Sequence, residues 1–460
     1  MLWHGIRAPA VAGVGRQPVS IGTLPMRVPA TQAGPRVGDG RTDQGVREAD
    51  PVPSDPAAEA VARLRWLRTP AGAAAVRLAG RLQDDAVDLV TGVARMRTEV
   101  GTEHGGAAWE LARLRTRARP TFGADADVLL LTADALEQAG RPVLAARRAG
   151  RLLGGGADAV ADLGCAAGTD TVALARAGAT VVAVDRDPVA RELTEANVAA
   201  LGLADRVQVV AGDVVDLVAA AVGGEVAGCR AAVLDPARRA GGRRQLDPDR
   251  WSPPWSTVTA LLERVPATVV KVAPGLDHDR VPAGIEAEWV SVAGSIVEGL
   301  LWGRALSQTW RRATLVRDGG VLEVTADADP GPAPTGPVRG WLHEPDPALI
   351  RSGLMSLVAA ELGATLIDPT IAYLCSDGPA ESPWVSSYRV TEVLPFNLKK
   401  LKALLRTRGV GRVVVKKRGS PIEPEALARQ LRGPGSASAV VVVTRVAGSP
   451  TVLVCDPLSA

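Results

Sequence analysis

The sequence predicts an α/β protein in three parts: a helical N-terminal region, a central, mostly parallel sheet of seven strands, and a smaller α/β unit towards the C-terminal end. Three observations carry this reading. Capped segments with helix-spaced apolar residues run from 55 to about 153. From residue 157 the texture changes to short β-branched runs alternating with Ala-rich helical stretches, as in a parallel sheet covered by helices. Residues 327–337 (DADPGPAPTGP) have linker composition, and an α/β pattern resumes beyond them.

Each part has its own grounds. Residues 1–54 are rich in Gly, Pro, Arg and Asp without a sustained period, and read as a disordered extension or a wrongly chosen start codon. Asp55-Pro56 looks like an N-cap with proline at the first helical position, and residues 107–119 place Trp109, Leu111 and Leu114 near one helix face. A third helix is expected over 126–138. A helical domain over 55–153 therefore precedes a second domain over 154–326. Its strands are read at 159–163, 180–184, 207–210, 231–234, 268–272, 288–292 and 313–316. The unit over 338–460 has strands near 385–393, 412–415 and 440–446.

Bulk properties narrow the function classes. The chain has 460 residues, enough for roughly three domains. No apolar run approaches the roughly 18 residues a membrane helix needs. No secretory leader is visible, so a cytoplasmic location is expected. Cys165, Cys229, Cys375 and Cys455 stand 64 or more residues apart and the four histidines are scattered. Neither a metal site nor a disulfide framework is expected.

The informative stretch is AVADLGCAAGTDTVALARAGATVVAVDRDPVARELTEAN. A buried strand ends in Asp162-Leu163-Gly164, a loop of small residues leads through Ala166 to Gly168, and a helix follows. Small residues let a backbone approach a ligand, and a helix start offers unpaired N–H groups. The next strand ends in Asp185, 21 residues past Gly164, where a carboxylate can accept hydrogen bonds from ribose hydroxyls. After the third strand comes Gly212-Asp213-Val214, an Asp and a backbone N–H suited to adenine. A dinucleotide fingerprint would need glycine at 164, 166 and 169, and only Gly164 complies.

This ordered set resembles the class I S-adenosylmethionine-dependent methyltransferases. The resemblance implies a Rossmann-like domain with S-adenosylmethionine as cofactor. Asp162 would meet the methionine amino group, Gly164, Ala166 and Gly168 would pack against the nucleoside and methionine parts, Asp185 would hold the ribose, and Asp213 and Val214 would flank the adenine. The family usually has glycine where this chain has Ala166. If the loop needs a left-handed backbone there, alanine costs roughly 1 kcal/mol.

The fourth strand ends in Asp235-Pro236-Ala237-Arg238-Arg239, at the sheet edge where ligands gather. Asp235 and Pro236 match half of the Asn/Asp-Pro-Pro-aromatic motif that orients an amino nitrogen in several nucleic-acid methyltransferases. Uridine C5 chemistry needs a cysteine nucleophile after the following strand, and residues 270–275 (VKVAPG) contain none. Arg238 and Arg239 can grip a phosphate or base edge, or form a structural salt-bridged pair. Trp255 can stack a base or pack a loop.

From 394 to 432, eleven Lys and Arg stand against two Glu, a local +9 in a chain of net +3. Lys399, Lys400, Lys402 and Arg406 fall on the polar face of a helix, and Lys416, Lys417 and Arg418 at a strand end. Such clusters suit a phosphate backbone or are a solvated face. The run DPARR, SPPW, VKVAPG, EGLLW, DPTIAYL, LPFNLKKLKALLRTRGVGRVVVKKRG over residues 55–458 resembles a bacterial family that joins a class I methyltransferase domain to a C-terminal THUMP-like domain. THUMP domains bind structured RNA, which implies methylation of a base in tRNA or rRNA. A small-molecule methyltransferase and a non-catalytic RNA-binding factor with a vestigial pocket stay open.

Overall fold

The computed structural model describes residues 55–220, 226–240, 243–245 and 247–457, with the side chains of 239–240 and 243–244 left aside. The extension over 1–54 lies outside the described residues.

Six helices come first: α1 (Pro56–Arg68), α2 (Pro70–Asp84), α3 (Leu89–Val100), α4 (Thr102–Phe122), α5 (Ala133–Gln138) and α6 (Pro142–Gly154). The Asp55 carboxylate accepts from the Ala57 N–H as the N-cap of α1, and Thr69 both ends α1 and caps α2. Trp109, Leu111 and Leu114 are buried on α4. The single helix expected over 126–138 is broken: a 3₁₀ turn and an extended stretch at Leu129–131 precede α5. Tertiary contacts outweigh helical propensity here, because the Asn197 amide pairs with both the N–H and the C=O of Leu130 (2.7 and 3.2 Å) while three leucines are buried.

The central sheet comprises β1 (Ala159–Leu163), β2 (Thr180–Asp185), β3 (Val207–Ala211), β4 (Ala231–Leu234), β7 (Ala267–Val272), β8 (Glu286–Val292), β9 (Ser295–Trp302), β10 (Arg311–Arg317) and β11 (Gly320–Ala326). A two-stranded hairpin, β5 (Arg239–Ala240) and β6 (Arg243–Arg244), follows β4. The helices are α7 (Thr169–Arg176), α8 (Pro188–Ala200), α9 (Val214–Ala219) and α10 (Trp255–Arg264). Strand order is β11-β10-β8-β9-β7-β4-β1-β2-β3, nine strands where seven were expected. The additions are β9 and β11, each folded back antiparallel on the strand before it. Alternate residues of β1 and β4 face opposite ways: Ala161, Leu163, Ala232 and Leu234 pack with α9 and α10, while Val160, Ala231 and Val233 pack with α6 and α7.

The C-terminal unit holds β12 (Trp341–Pro345), α11 (Pro347–Ser352), α12 (Met355–Glu361), β13 (Thr365–Asp368), β14 (Ile371–Ser376), β15 (Val385–Pro395), α13 (Leu398–Thr407), β16 (Val410–Lys417), α14 (Pro424–Leu431), β17 (Ala437–Val446) and β18 (Ser449–Cys455). Its seven strands run β13-β14-β12-β15-β18-β17-β16, and only β16 and β17 pair in parallel, joined by α14 as a crossover. Leu401 and Leu405 of α13 are buried against Val441 and Val443. Gly409, at φ +61°, ends that helix and donates to the Arg406 carbonyl.

Packing crosses the boundaries that composition suggests. Ala348, Leu349, Leu354 and Val358 are buried with Trp289 and Leu315 of the central sheet. The 327–337 segment is not a free linker: Ala333 is buried, and backbone bonds tie Gly336 and Pro334 to Leu366. At the other end α1 docks on α8, with Arg65 and Arg68 both donating to Glu192 at 2.8 Å. No helix among the described residues is long and apolar enough to cross a membrane.

Candidate active site

The carboxyl edge of β1, β2 and β4 opens into a cleft of about 640 Å³. This size suits a nucleoside-bearing ligand. The loop after β1 is held from beneath: the Gly164 and Cys165 N–H groups donate to the Val184 carbonyl, Thr194 Oγ1 donates to the Ala166 carbonyl, and Asn197 Nδ2 to that of Ala167. Gly168 is required by its backbone (φ +83°) and by space, since a Cβ there would lie 3.2 Å from Thr194. Burial holds the Cys165 thiol well above its ordinary value, so it sits in the loop as a neutral group.

Ala166 does adopt the left-handed conformation, at φ +51°. An L-residue there carries a cost of roughly 1–2 kcal/mol that glycine avoids. Ala166→Gly is therefore expected to raise stability by about 1 kcal/mol, read as a later urea midpoint with an unchanged slope. A destabilised variant would show that the loop is not strained.

Asp185 uses one oxygen for the Ala166 N–H (3.1 Å) and the other for the Asp187 N–H (2.9 Å). A carboxylate has about four lone-pair sites, so capacity for two hydroxyls remains. Asp213 caps α9 through the Val215 N–H (2.8 Å) and pairs with Arg186 at 3.2 Å, while buried Val214 floors the same cleft. Asp162 is buried at the head of the loop and takes a 2.5 Å bond from Thr171 Oγ1. Burial, with Asp170 beside it, pushes its carboxyl up to about 7. An ammonium placed against it would favour the ionised form.

Asp235, Pro236 and Arg238 also line the cleft. Arg238 forms no salt-bridged pair among the described residues, and its Nη1 is buried without a partner. The Arg239 side chain lies outside the described residues. Trp255 is buried and packs edge-on to Trp251 (6.0 Å, 83°), so it is core and not a stacking face.

The residues that sequence reasoning missed lie behind Asp235. Lys271, next to the carboxyl end of β7, hydrogen-bonds the Asp235 carboxylate and sits 3.5 Å from Asp170. Arg148 of α6 donates to Asp170 (2.6 and 2.9 Å) and to both oxygens of Glu298 (2.7 and 2.9 Å). Burial works against the charge on Asp170, but Arg148 and Lys271 outweigh it and hold the carboxyl below its ordinary value. Burial alone would depress Lys271, yet Asp235 and Asp170 raise it, so it stays an ammonium. One signal was available: a lysine flanked by valines in ATVVKV cannot alternate out of a central strand, and so must be buried and paired. The opposite wall of the cleft was also missed, and comes from Thr132, Asp134 and Gln138 at α5.

The basic segment divides in two. Lys399, Lys400 and Arg406 are exposed on α13 and Lys402 is half-buried; none of the four has an ion-pair partner among the described residues. Lys416, Lys417 and Arg418 are not the open cluster expected. Lys416 pairs with Glu344 (2.5 Å) over the Tyr388 ring, Lys417 pairs with Glu423 (2.8 Å), and Arg418 donates to the Ala372 carbonyl. Strand β12 and the turn before α14 bring those acids in, which local charge counting does not show.

The chain is similar to known families and proteins. Residues 157–236 match the model of the RNA cap guanine-N2 methyltransferase family, residues 385–457 a THUMP domain-like family, and residues 60–118 a domain of unknown function. A solved structure of a candidate methyltransferase from Porphyromonas gingivalis W83 superposes with a TM-score of 0.65 at 19% identity, over 87% of this chain and 99% of that one. It shares the fold. The fold, with its cleft at the carboxyl edge of the sheet, is that of a class I methyltransferase. Two Mycobacterium tuberculosis proteins, of strains H37Rv and CDC 1551, each described as an uncharacterized S-adenosylmethionine-dependent methyltransferase, are 35% identical over 339 residues, covering 71% of this chain and 89% of theirs. The chain belongs to that family of S-adenosylmethionine-dependent methyltransferases, and S-adenosylmethionine is its cofactor.

Proposed function

We propose that this enzyme methylates an exocyclic amino group on a base of structured RNA, tRNA or rRNA. Bound S-adenosylmethionine would supply an electrophilic methyl group and keep the electrons of the broken carbon–sulfur bond, and the amino nitrogen that accepts the methyl would give up a proton to water. Asp162 and Asp185, with the loop from Gly164 to Gly168, would hold the cofactor, and Asp213 and Val214 its adenine. The observation that carries the reading is Asp235-Pro236 opening into the same cleft as Asp162 and Asp185. A carboxylate oxygen and a proline carbonyl, neither able to donate, suit an N–H donor to be aligned. Arg238, with its unpartnered Nη1, would meet a phosphate or base edge.

The match to a guanine-N2 methyltransferase model over residues 157–236 supports an amine acceptor, and the THUMP domain-like match over 385–457 supports RNA. On that basis Lys399, Lys400, Lys402 and Arg406 would track the phosphate backbone. The neutralisation of Lys416 and Lys417 by Glu344 and Glu423 favours a second reading, a small-molecule acceptor. Mass spectrometry of nucleosides from total RNA, with and without the gene, separates the two. One methylated nucleoside should disappear on deletion and return when purified enzyme and S-adenosylmethionine are added to that RNA. An unchanged nucleoside profile would discard RNA as substrate.

A further inference from the structure

We propose that Lys271 is a positioning residue for methyl transfer, holding the Asp235 carboxylate in one orientation through a buried chain of ion pairs that begins on α6. The proposal rests on the reading of Asp235 as the group that aligns the acceptor. Lys271 reaches Asp235 Oδ2, and no donor among the described residues meets Oδ1. One oxygen is thus fixed by the protein and the other is left to the cleft.

The rest of the chain makes this orientation stiff. Lys271 is held between Asp235 and Asp170, Asp170 is held by Arg148, and Arg148 is held by both oxygens of Glu298 on β9. Asp170, Lys271, Arg148 and Glu298 have side chains 10% exposed or less, against 31% for Asp235. The network therefore ends on its single solvent-facing member, where an acceptor would arrive. Four carboxylates (Asp162, Asp170, Asp235 and Glu298) face two cations here, so without Lys271 the Asp235 carboxylate would sit among like charges. Arg238 lines the same cleft but does not pair with Asp235 among the described residues.

The test uses full-length enzyme, tritiated-methyl S-adenosylmethionine varied up to saturation, and total RNA from a strain lacking the gene. Lys271→Met should lower kcat about tenfold or more while the KM for S-adenosylmethionine stays near its parental value, because a misaligned Asp235 would affect the transfer step and not cofactor binding. Lys271→Arg, which restores a cationic donor to Asp235, should recover most of the lost kcat. If the methionine variant does not fold, Lys271→Gln, neutral but still able to donate to Asp235, carries the same expectation. A parental kcat in the neutral variants, or a lost kcat that the arginine variant does not recover, with Asp235→Ala inactive, would overturn the role of Lys271. If Asp235→Ala itself retains full turnover, the reading of Asp235 fails instead.

Discussion

Turnover should fall about 100-fold or more on replacing Asp235 with alanine, a loss typical of removing one group that meets the reacting atoms. S-adenosylmethionine affinity should hardly change, because Asp162, Asp185 and the loop between them are untouched. A contact made mainly in the transition state lowers kcat without raising KM. The fold should survive, since Lys271 keeps Asp170 as a partner 3.5 Å away and its ammonium is not left alone. Single-turnover methyl transfer alongside calorimetric titration of the cofactor measures both halves. Activity within about threefold of the parent, a margin set by assay scatter, would return Asp235 to a structural role.

Arg148→Met should cost about 3–5 kcal/mol of stability, the usual loss on removing one partner from a buried ion pair. Arg148 is 1% exposed and serves two buried acids, so the variant leaves Asp170 without its main cation and Glu298 without any direct one. The pH dependence identifies the cause. Burial already raises the Glu298 carboxyl with the guanidinium present. Without it, the folded state would bind protons more tightly than the unfolded chain at both acids. The deficit should then be full at neutral pH and shrink as pH falls through the raised values. Urea midpoints from pH 5 to 8 follow this. A deficit under about 1 kcal/mol, or one that does not shrink in acid, would mean that water or rearrangement satisfies the acids.

How much of this could be read in advance varies with the range of the forces involved. Strands β1, β2 and β4 and the loop from Gly164 to Gly168 follow from local signals: β-branched runs, small residues, and an acid at each strand end. The two unexpected strands of the central sheet turn on hairpins with two left-handed residues each: Ala293-Gly294 before β9, Asp318-Gly319 before β11. Asp-Gly is a strong signal for that turn and was legible; Ala-Gly is not, because alanine rarely takes φ +48°. The same Ala-Gly device, Ala447-Gly448, joins β17 to β18. Charge was the least legible property. Glu286, Glu288 and Glu298 look like the solvent side of strands, yet all are buried, because Arg147, Arg148 and Arg151 arrive from α6 more than a hundred residues earlier. No local window contains both halves of such a pair. The same holds for Lys416 and Glu344.

The docking of α11 and α12 on the central sheet also bears on how the chain is made. Leu349, Leu354, Val358 and Trp384 complete a core whose other members begin at Ala161, so one face of the catalytic sheet stays open until the ribosome has passed residue 384. A nascent chain stopped at the proline-rich stretch would hold its cofactor loop and every strand of that sheet, yet expose the apolar surface around Trp289 and Leu315. The segment that looks like a place to divide the protein is therefore where a shortened chain is most exposed to aggregation and proteolysis.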